Sequence, residues 1–263
     1  MTMHLTAWIA GQDRVPSPSV RFTVIDGKEI CETHPEVVED LARRMMEAKI
    51  SRTYLETYGS RLGWPVVGRR LQQTKQKVAR GDFGEVVASG WLEDYCGLHA
   101  PIRKMRAQVG PGQTLPGVDT IAFRVTDELI DGIHVLESKL RTTPARLTAV
   151  GVEAYQQLEK DRNERAVDLL EYALEQLHTR GDPFAEALCK HLENRVDESD
   201  DSYEVVLVVE SDVWDEEVLT QLDAVAGSLP NCRLHVLLCS NLVALVDAVY
   251  DRAGLDLVDR MET

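Results

Sequence analysis

Hydrophobic and polar positions follow three different rhythms along this chain, and each predicts a different kind of element. Near the amino terminus, His4 to Ala10 and Val20 to Ile25 alternate loosely and run into Asp26-Gly27, a hairpin-like turn signal that predicts short strands. Thr33-His-Pro-Glu36 joins an N-cap residue, an early proline and a first-turn acid, and so opens a helix to about Ile50. Further helices are expected over Ser51–Tyr58 and Val66–Ala79. With Asp82 as N-cap, Phe83 to Tyr95 reads as another helix, stopped by Gly97.

The rhythm then changes twice. Ile102–Val109, Val118–Val125 and Ile133–Leu140 are rich in apolar and β-branched residues and are separated by turn signals, which predicts a three-stranded meander. Arg146 to about His178 returns to helical spacing (Leu147, Val150, Ala154, Leu158, then Leu170, Ala173, Leu177), with a break expected near Arg162-Asn163. Pro183–Val196 adds a helix. Beyond an acidic loop, the near-continuous apolar runs Tyr203–Val209 and Arg233–Cys239 alternate with helices over Trp214–Ala226 and Leu242–Ala253. Strands apolar on both faces must be covered on both faces, so the expected class is α/β. The expected organisation is a mainly helical region over residues 1–80, suited to binding a partner or capping a site, followed by an α/β core over 81–263.

Composition narrows this. The 263 residues are 44% hydrophobic, enough to build a core and to exclude wholesale disorder. No apolar run is long enough to span a bilayer and the first residues lack the pattern of a signal peptide, so a cytoplasmic protein without membrane contact is expected. Five scattered cysteines without a CxxC disfavour a disulfide framework or a zinc knuckle and read as buried thiols. No GxxxxGK[ST] and no HExxH are present, so any ATP use belongs to a partner and zinc hydrolysis is disfavoured. His134 reads as a strand residue and His99 as a loop residue.

Acidic residues outnumber basic ones by 44 to 29, for a net charge of -15, but unevenly. Thr57–Gly81, Leu98–Val118 and Ser138–Val152 contain no acid, whereas Val196–Glu217 holds ten acids and no base. One such run is ordinarily a solvated face. Three of them around one segment point to a polyanion, because local field outweighs net charge in such binding. Lys104, Arg106, Arg141 and Arg146 are the candidate DNA contacts.

That segment is Leu115-Pro-Gly-Val-Asp119 followed by Glu137-Ser-Lys139. On a strand, Glu137 and Lys139 leave the same face and Ser138 the other. Idle charges on an apolar strand are costly to desolvate, so something pairs them; a divalent metal beside a lysine does, and so does a simple ion pair. Asp119 starts the preceding strand and comes across from Glu137 in a hairpin of ordinary length. Glu85 shares a helical stripe with Ala88, Ser89, Leu92 and Cys96, which carries its carboxylate inward.

A helix with Glu85, a strand, a strand with Asp119, a strand with Glu137-Ser138-Lys139 and a helix resemble the PD-(D/E)xK nuclease superfamily, over roughly Asp82 to Cys239. Val118 stands where that motif has its proline, with Pro116 close by. The resemblance implies a restriction-endonuclease-like core, a central mixed sheet flanked by helices. More narrowly, the size, the helical start, the Glu-Ser-Lys context and the acidic α/β end resemble the nuclease subunits of Hachiman-type antiphage defence systems, or of the related Abp system.

The resemblance further implies a magnesium-dependent DNase, with Mn²⁺ as substitute, held in check by a superfamily-2 helicase partner. Asp119 and Glu137 would be metal ligands, the Ser138 backbone carbonyl an extra one, and Glu85 a ligand directly or through water. Lys139 would orient or deprotonate the attacking water. Tyr155 and Gln156, on the helix after the motif strand, resemble auxiliary residues of some members, although Tyr155 also suits core packing. The alternative keeps the fold and discards catalysis: a scaffold or DNA-sensing subunit that binds a helicase, with Glu137 and Lys139 a plain ion pair. A site-specific restriction enzyme is a weaker third reading, since no recognition domain is evident.

Overall fold

The computed structural model describes residues 21–27, 35–49, 80–103, 117–195 and 201–259. In chain order the described elements are β1 (Arg21–Gly27), α1 (Pro35–Lys49), α2 (80–94), β2 (His99–Arg103), β3 (Thr120–Thr126), β4 (Leu129–Arg141), α3 (Val150–Thr179), α4 (Phe184–Asn194), β5 (Ser202–Glu210), α5 (Glu217–Val225), β6 (Cys232–Cys239) and α6 (Leu242–Asp259). They form one six-stranded sheet in the order β1-β6-β5-β4-β3-β2. β1, β6, β5 and β4 run parallel to one another, while β4, β3 and β2 form the antiparallel meander. The sheet is therefore mixed and flanked by helices, as expected.

The period of two along each strand sorts the core. On β5, Val205, Leu207 and Val209 pack under α3, α4 and α5, while Val206 and Val208 pack under α1, α2 and α6. β4 divides likewise, with Ile133 and Val135 toward α3 and Leu136 and Leu140 toward α2. A strand with a helical layer on each side has no polar face to offer, hence its unbroken apolar sequence.

Several boundaries differ from expectation, for physical reasons. Asp26-Gly27 is not a hairpin turn: both residues lie inside β1, paired in parallel with Leu238 and Cys239 of β6. The helices expected over 51–58 and 66–79 fall outside the described residues. Asp82 is not an N-cap. It lies within α2, is buried, and pairs with Lys49 of α1. α3 runs without a break past Arg162-Asn163, its apolar stripe carrying it along the sheet. His99 begins β2 with its ring against Phe184, and burial lowers its pKa. The β3–β4 turn is made tight by Asp127 and Glu128, both at positive φ.

Buried charge ties the layers together. Arg44 of α1 bonds Asp40 (2.7 Å), Asp94 (2.7 Å) and Glu93 (3.0 Å), and Glu93 also receives Arg103 of β2 at 2.9 Å. Glu204, fully buried on β5, is held between His134 of β4 and His235 of β6, each at 2.9 Å. Among the described residues no helix is long and apolar enough to cross a membrane, and Cys96, Cys189 and Cys232 are free thiols.

Burial by itself would push the Glu204 carboxyl up, but the hydrogen bonds from His134 and His235 outweigh it and bring it down to about 2. A carboxylate whose pKa is lowered on folding stabilises the protein above its ordinary pKa of 4.5, and that contribution disappears as pH falls toward 2. Glu204→Gln should therefore cost about 3 kcal/mol near neutrality. In urea titrations at a series of pH values, the gap between variant and wild type should close between pH 4.5 and 2.

Candidate active site

The candidate site is generated by a mismatch of strand lengths. β3 begins at Thr120, opposite Leu136, and the Asp119 N–H donates to the Leu136 carbonyl at 3.0 Å, one residue out of that register. β4 continues to Arg141, with β5 alongside it as far as Val209. Past Leu136, the β3 side of β4 has no strand partner from β3, and the side chain of Asp119 enters that position. Its Oδ2 accepts from the Ser138 N–H at 2.9 Å and from the Ser138 hydroxyl at 2.8 Å. In an antiparallel pair both backbone groups of a residue point to the same neighbour. The Ser138 carbonyl therefore leaves β4 on the same edge that meets Asp119.

Glu137 follows Leu136, the last residue of β4 paired with β3, and Asp119 precedes Thr120, the partner of Leu136. Glu137 and Lys139 leave the face covered by α3, and the Lys139 ammonium donates to Glu137 Oε1 at 2.5 Å. Glu137 is almost fully buried, whereas the Lys139 side chain keeps 27% exposure. This lets the ammonium reach solvent while its partner stays fixed. Ser138 leaves the opposite face toward α2, where a Cβ on Gly84 would lie 3.4 Å from Leu140 Cβ and 3.9 Å from Ser138 Oγ.

Glu85 follows Gly84 on α2 and is buried, with Ala88, Ser89 and Leu92 on the inward stripe. Ser89 donates to the Glu85 carbonyl at 2.7 Å and meets the Thr120 hydroxyl at 3.0 Å, which fastens α2 to the residue after Asp119. Burial, with Asp82 and Glu85 nearby, pushes the Tyr250 phenol of α6 up. Asp119 is thus brought against Ser138, Lys139 is brought to Glu137, and Glu85 stands on the α2 side of the sheet.

The other candidates are placed differently. Arg141 bonds the Leu140 carbonyl at 3.0 Å and Glu153 of α3 at 3.3 Å, beside Lys139 on the same face. Arg146 is exposed, at φ 57°, in the turn leading to α3. Lys104 and Arg106 lie outside the described residues. The Tyr155 hydroxyl accepts from the N–H groups of Gly227, Ser228 and Leu229 at 2.9–3.0 Å, fastening α3 to the connection before β6. Gln156 is exposed.

Sequence reasoning passed over two arrangements. Arg80, at the start of α2, donates to Thr142 just beyond β4 at 3.0 Å and adds an exposed cation at this end of the strand. Its signal was its place in an acid-free run. The His134–Glu204–His235 chain was signalled by a lone acid in an apolar strand.

Comparison with known protein families matches residues 11–253 to HamA. The chain belongs to the HamA family. This makes it a Hachiman defence-associated protein. The HamA match takes in every candidate residue above, from Glu85 to Gln156. A search of curated proteins finds no match.

Among the described residues, no three His, Cys, Asp or Glu side chains form a ready metal cage. Asp119, Glu137 and the Ser138 carbonyl would offer a different kind of donor set: two carboxylates and one carbonyl, all hard oxygen. Mg²⁺ is commonly bound in this manner, through one or two carboxylates with water and substrate phosphate completing its shell.

Entry into the site depends on Gly117, whose φ of 123° favours glycine. Gly117→Ala should cost about 1–3 kcal/mol in urea unfolding. Gly81→Ala is the control and should not destabilise, because it lies in α2, where alanine is favoured over glycine, a Cβ there meets nothing within 4 Å and φ is ordinary.

Proposed function

We propose that this HamA-family chain is a metal-dependent DNA endonuclease, the DNase effector of its defence system, regulated by a superfamily-2 helicase partner. The observation that carries the reading is the Asp119 carboxylate bonded to Ser138, between Glu137 and Lys139, where β3 ends, with Lys139 held by Glu137. A bound Mg²⁺, or Mn²⁺ in its place, would supply Lewis acidity toward the phosphate and a more acidic water.

The chain's own groups do the rest. Asp119, Glu137 and the Ser138 carbonyl are the oxygen donors, with Glu85 approaching from α2. Lys139, anchored at Oε1 of Glu137, presents its remaining N–H donors toward solvent, where they orient a water or neutralise charge developing on a phosphate oxygen. Arg141, Arg146 and Arg80 supply cations for the flanking phosphates.

A net charge of -15 weakens binding to free DNA, since phosphate contacts are the main non-specific term in affinity. That supports delivery by a partner, and the exposed acids Asp212, Asp215, Glu216 and Glu217 between β5 and the start of α5 suit a partner-facing surface. A second reading has an observation of its own. The Glu137–Lys139 ion pair is complete without metal, as in a scaffold or DNA-sensing subunit that binds the helicase and cuts nothing.

Plasmid cleavage with Mg²⁺, Mn²⁺ or EDTA separates the two. The wild type should cut only with metal, and a Glu137→Ala/Lys139→Ala variant should lose at least about 10²-fold in rate. A folded wild type that leaves plasmid intact, even with the helicase from its own locus and ATP, would leave the scaffold as the answer.

A further inference from the structure

Within Glu137-Ser138-Lys139 the middle side chain faces away from its two charged neighbours, into the layer between the sheet and α2. Its companions on that face of β4 are Leu136 and Leu140, and Gly84 leaves just enough room there for the helix. Ser138 is itself nearly buried. Packing at such a position asks only for a small or β-branched side chain, and an apolar one would avoid the cost of burying a hydroxyl. What the hydroxyl does is donate to Asp119, to the same oxygen that takes the Ser138 amide.

We infer that Ser138 is a positioning residue: its hydroxyl and its amide together lock the Asp119 carboxylate in the orientation in which it serves as metal ligand. One donor would hold the oxygen while leaving the carboxylate free to turn about that bond. Two donors from different directions, one on the backbone and one on the side chain, restrict that turn. Partners of ligating carboxylates act in this way, and losing one typically weakens metal binding by 10–100-fold. Only the side-chain donor is lost on substitution, so the lower end of that range applies. The neighbouring Ser89–Thr120 contact steadies the backbone on the other side of Asp119.

The inference rests on Asp119 being a metal ligand, as proposed above, and its test reads binding rather than cleavage. Free Mn²⁺ is followed by electron paramagnetic resonance during titration of the full-length wild type, Ser138→Ala and Ser138→Thr, and unfolding midpoints are measured without metal. The expected result is a Kd raised about tenfold in Ser138→Ala, recovery in Ser138→Thr, and metal-free midpoints that do not track the affinities. Wild-type affinity in Ser138→Ala overturns the inference while leaving the metal site intact. So does an equal loss in both variants, since packing rather than the hydroxyl would then be the cause. A wild type that binds no Mn²⁺ overturns the inference together with the metal-dependent reading on which it rests.

Discussion

The Ser138 amide lies two residues past Leu136, where β3 stops pairing with β4, and a backbone donor buried there needs an acceptor. The Asp119 carboxylate provides it. That substitution of a side chain for a strand partner gives the candidate site its position. It brings the aspartate against the Glu-Ser-Lys strand and draws the Ser138 carbonyl to the same edge. Had β3 begun two residues earlier, the ladder would have satisfied the amide and the carboxylate would have had no reason to turn inward.

Around that notch the sheet separates its polar groups by face. Glu137, Lys139 and Arg141 share the α3 side, where Lys139 and Arg141 reach solvent. Ser138 and the His134–Glu204–His235 chain share the side covered by α1, α2 and α6, where everything polar must find its partner inside the protein. The Arg44 and Lys49 ion pairs belong to this second group, joining α1 to α2. Desolvating such charges is expensive, and a well-paired network recovers that cost without adding much beyond it. Its effect is to specify how α1 and α2 sit, and α2 carries Glu85 and fastens Thr120.

The described part of the first 50 residues, β1 and α1, also belongs to this framework. β1 extends the parallel half of the sheet, and α1 packs on α6 and α2 in one continuous apolar cluster. The HamA match, which begins at residue 11, runs through these elements as well as through the motif strands. Family membership and the architecture therefore describe the same stretch of chain, and the strand that carries Glu137 and Lys139 lies at its centre.

Periodicity along the chain determined the α/β class, the meander of β2 to β4, the two later strands and the helices between them, because burial on one face or two writes directly into the spacing of apolar residues. It also determined that Glu137 and Lys139 share a face and that Glu85 turns inward, since both follow from helix and strand geometry alone. Tertiary structure decided what depends on contacts distant in sequence. The parallel partner of β1 overrode a local turn signal at Asp26-Gly27, and continuous packing on the sheet kept α3 whole past Arg162. Lys49 made Asp82 an ion-pair partner in place of a cap, and the loop before β6 claimed the Tyr155 hydroxyl. Glu204 acquired its two histidines only when three strands came side by side. The Ser138 hydroxyl belongs to the same class: the sequence marks it as the residue between two charges, and only the end of β3 places Asp119 within its reach.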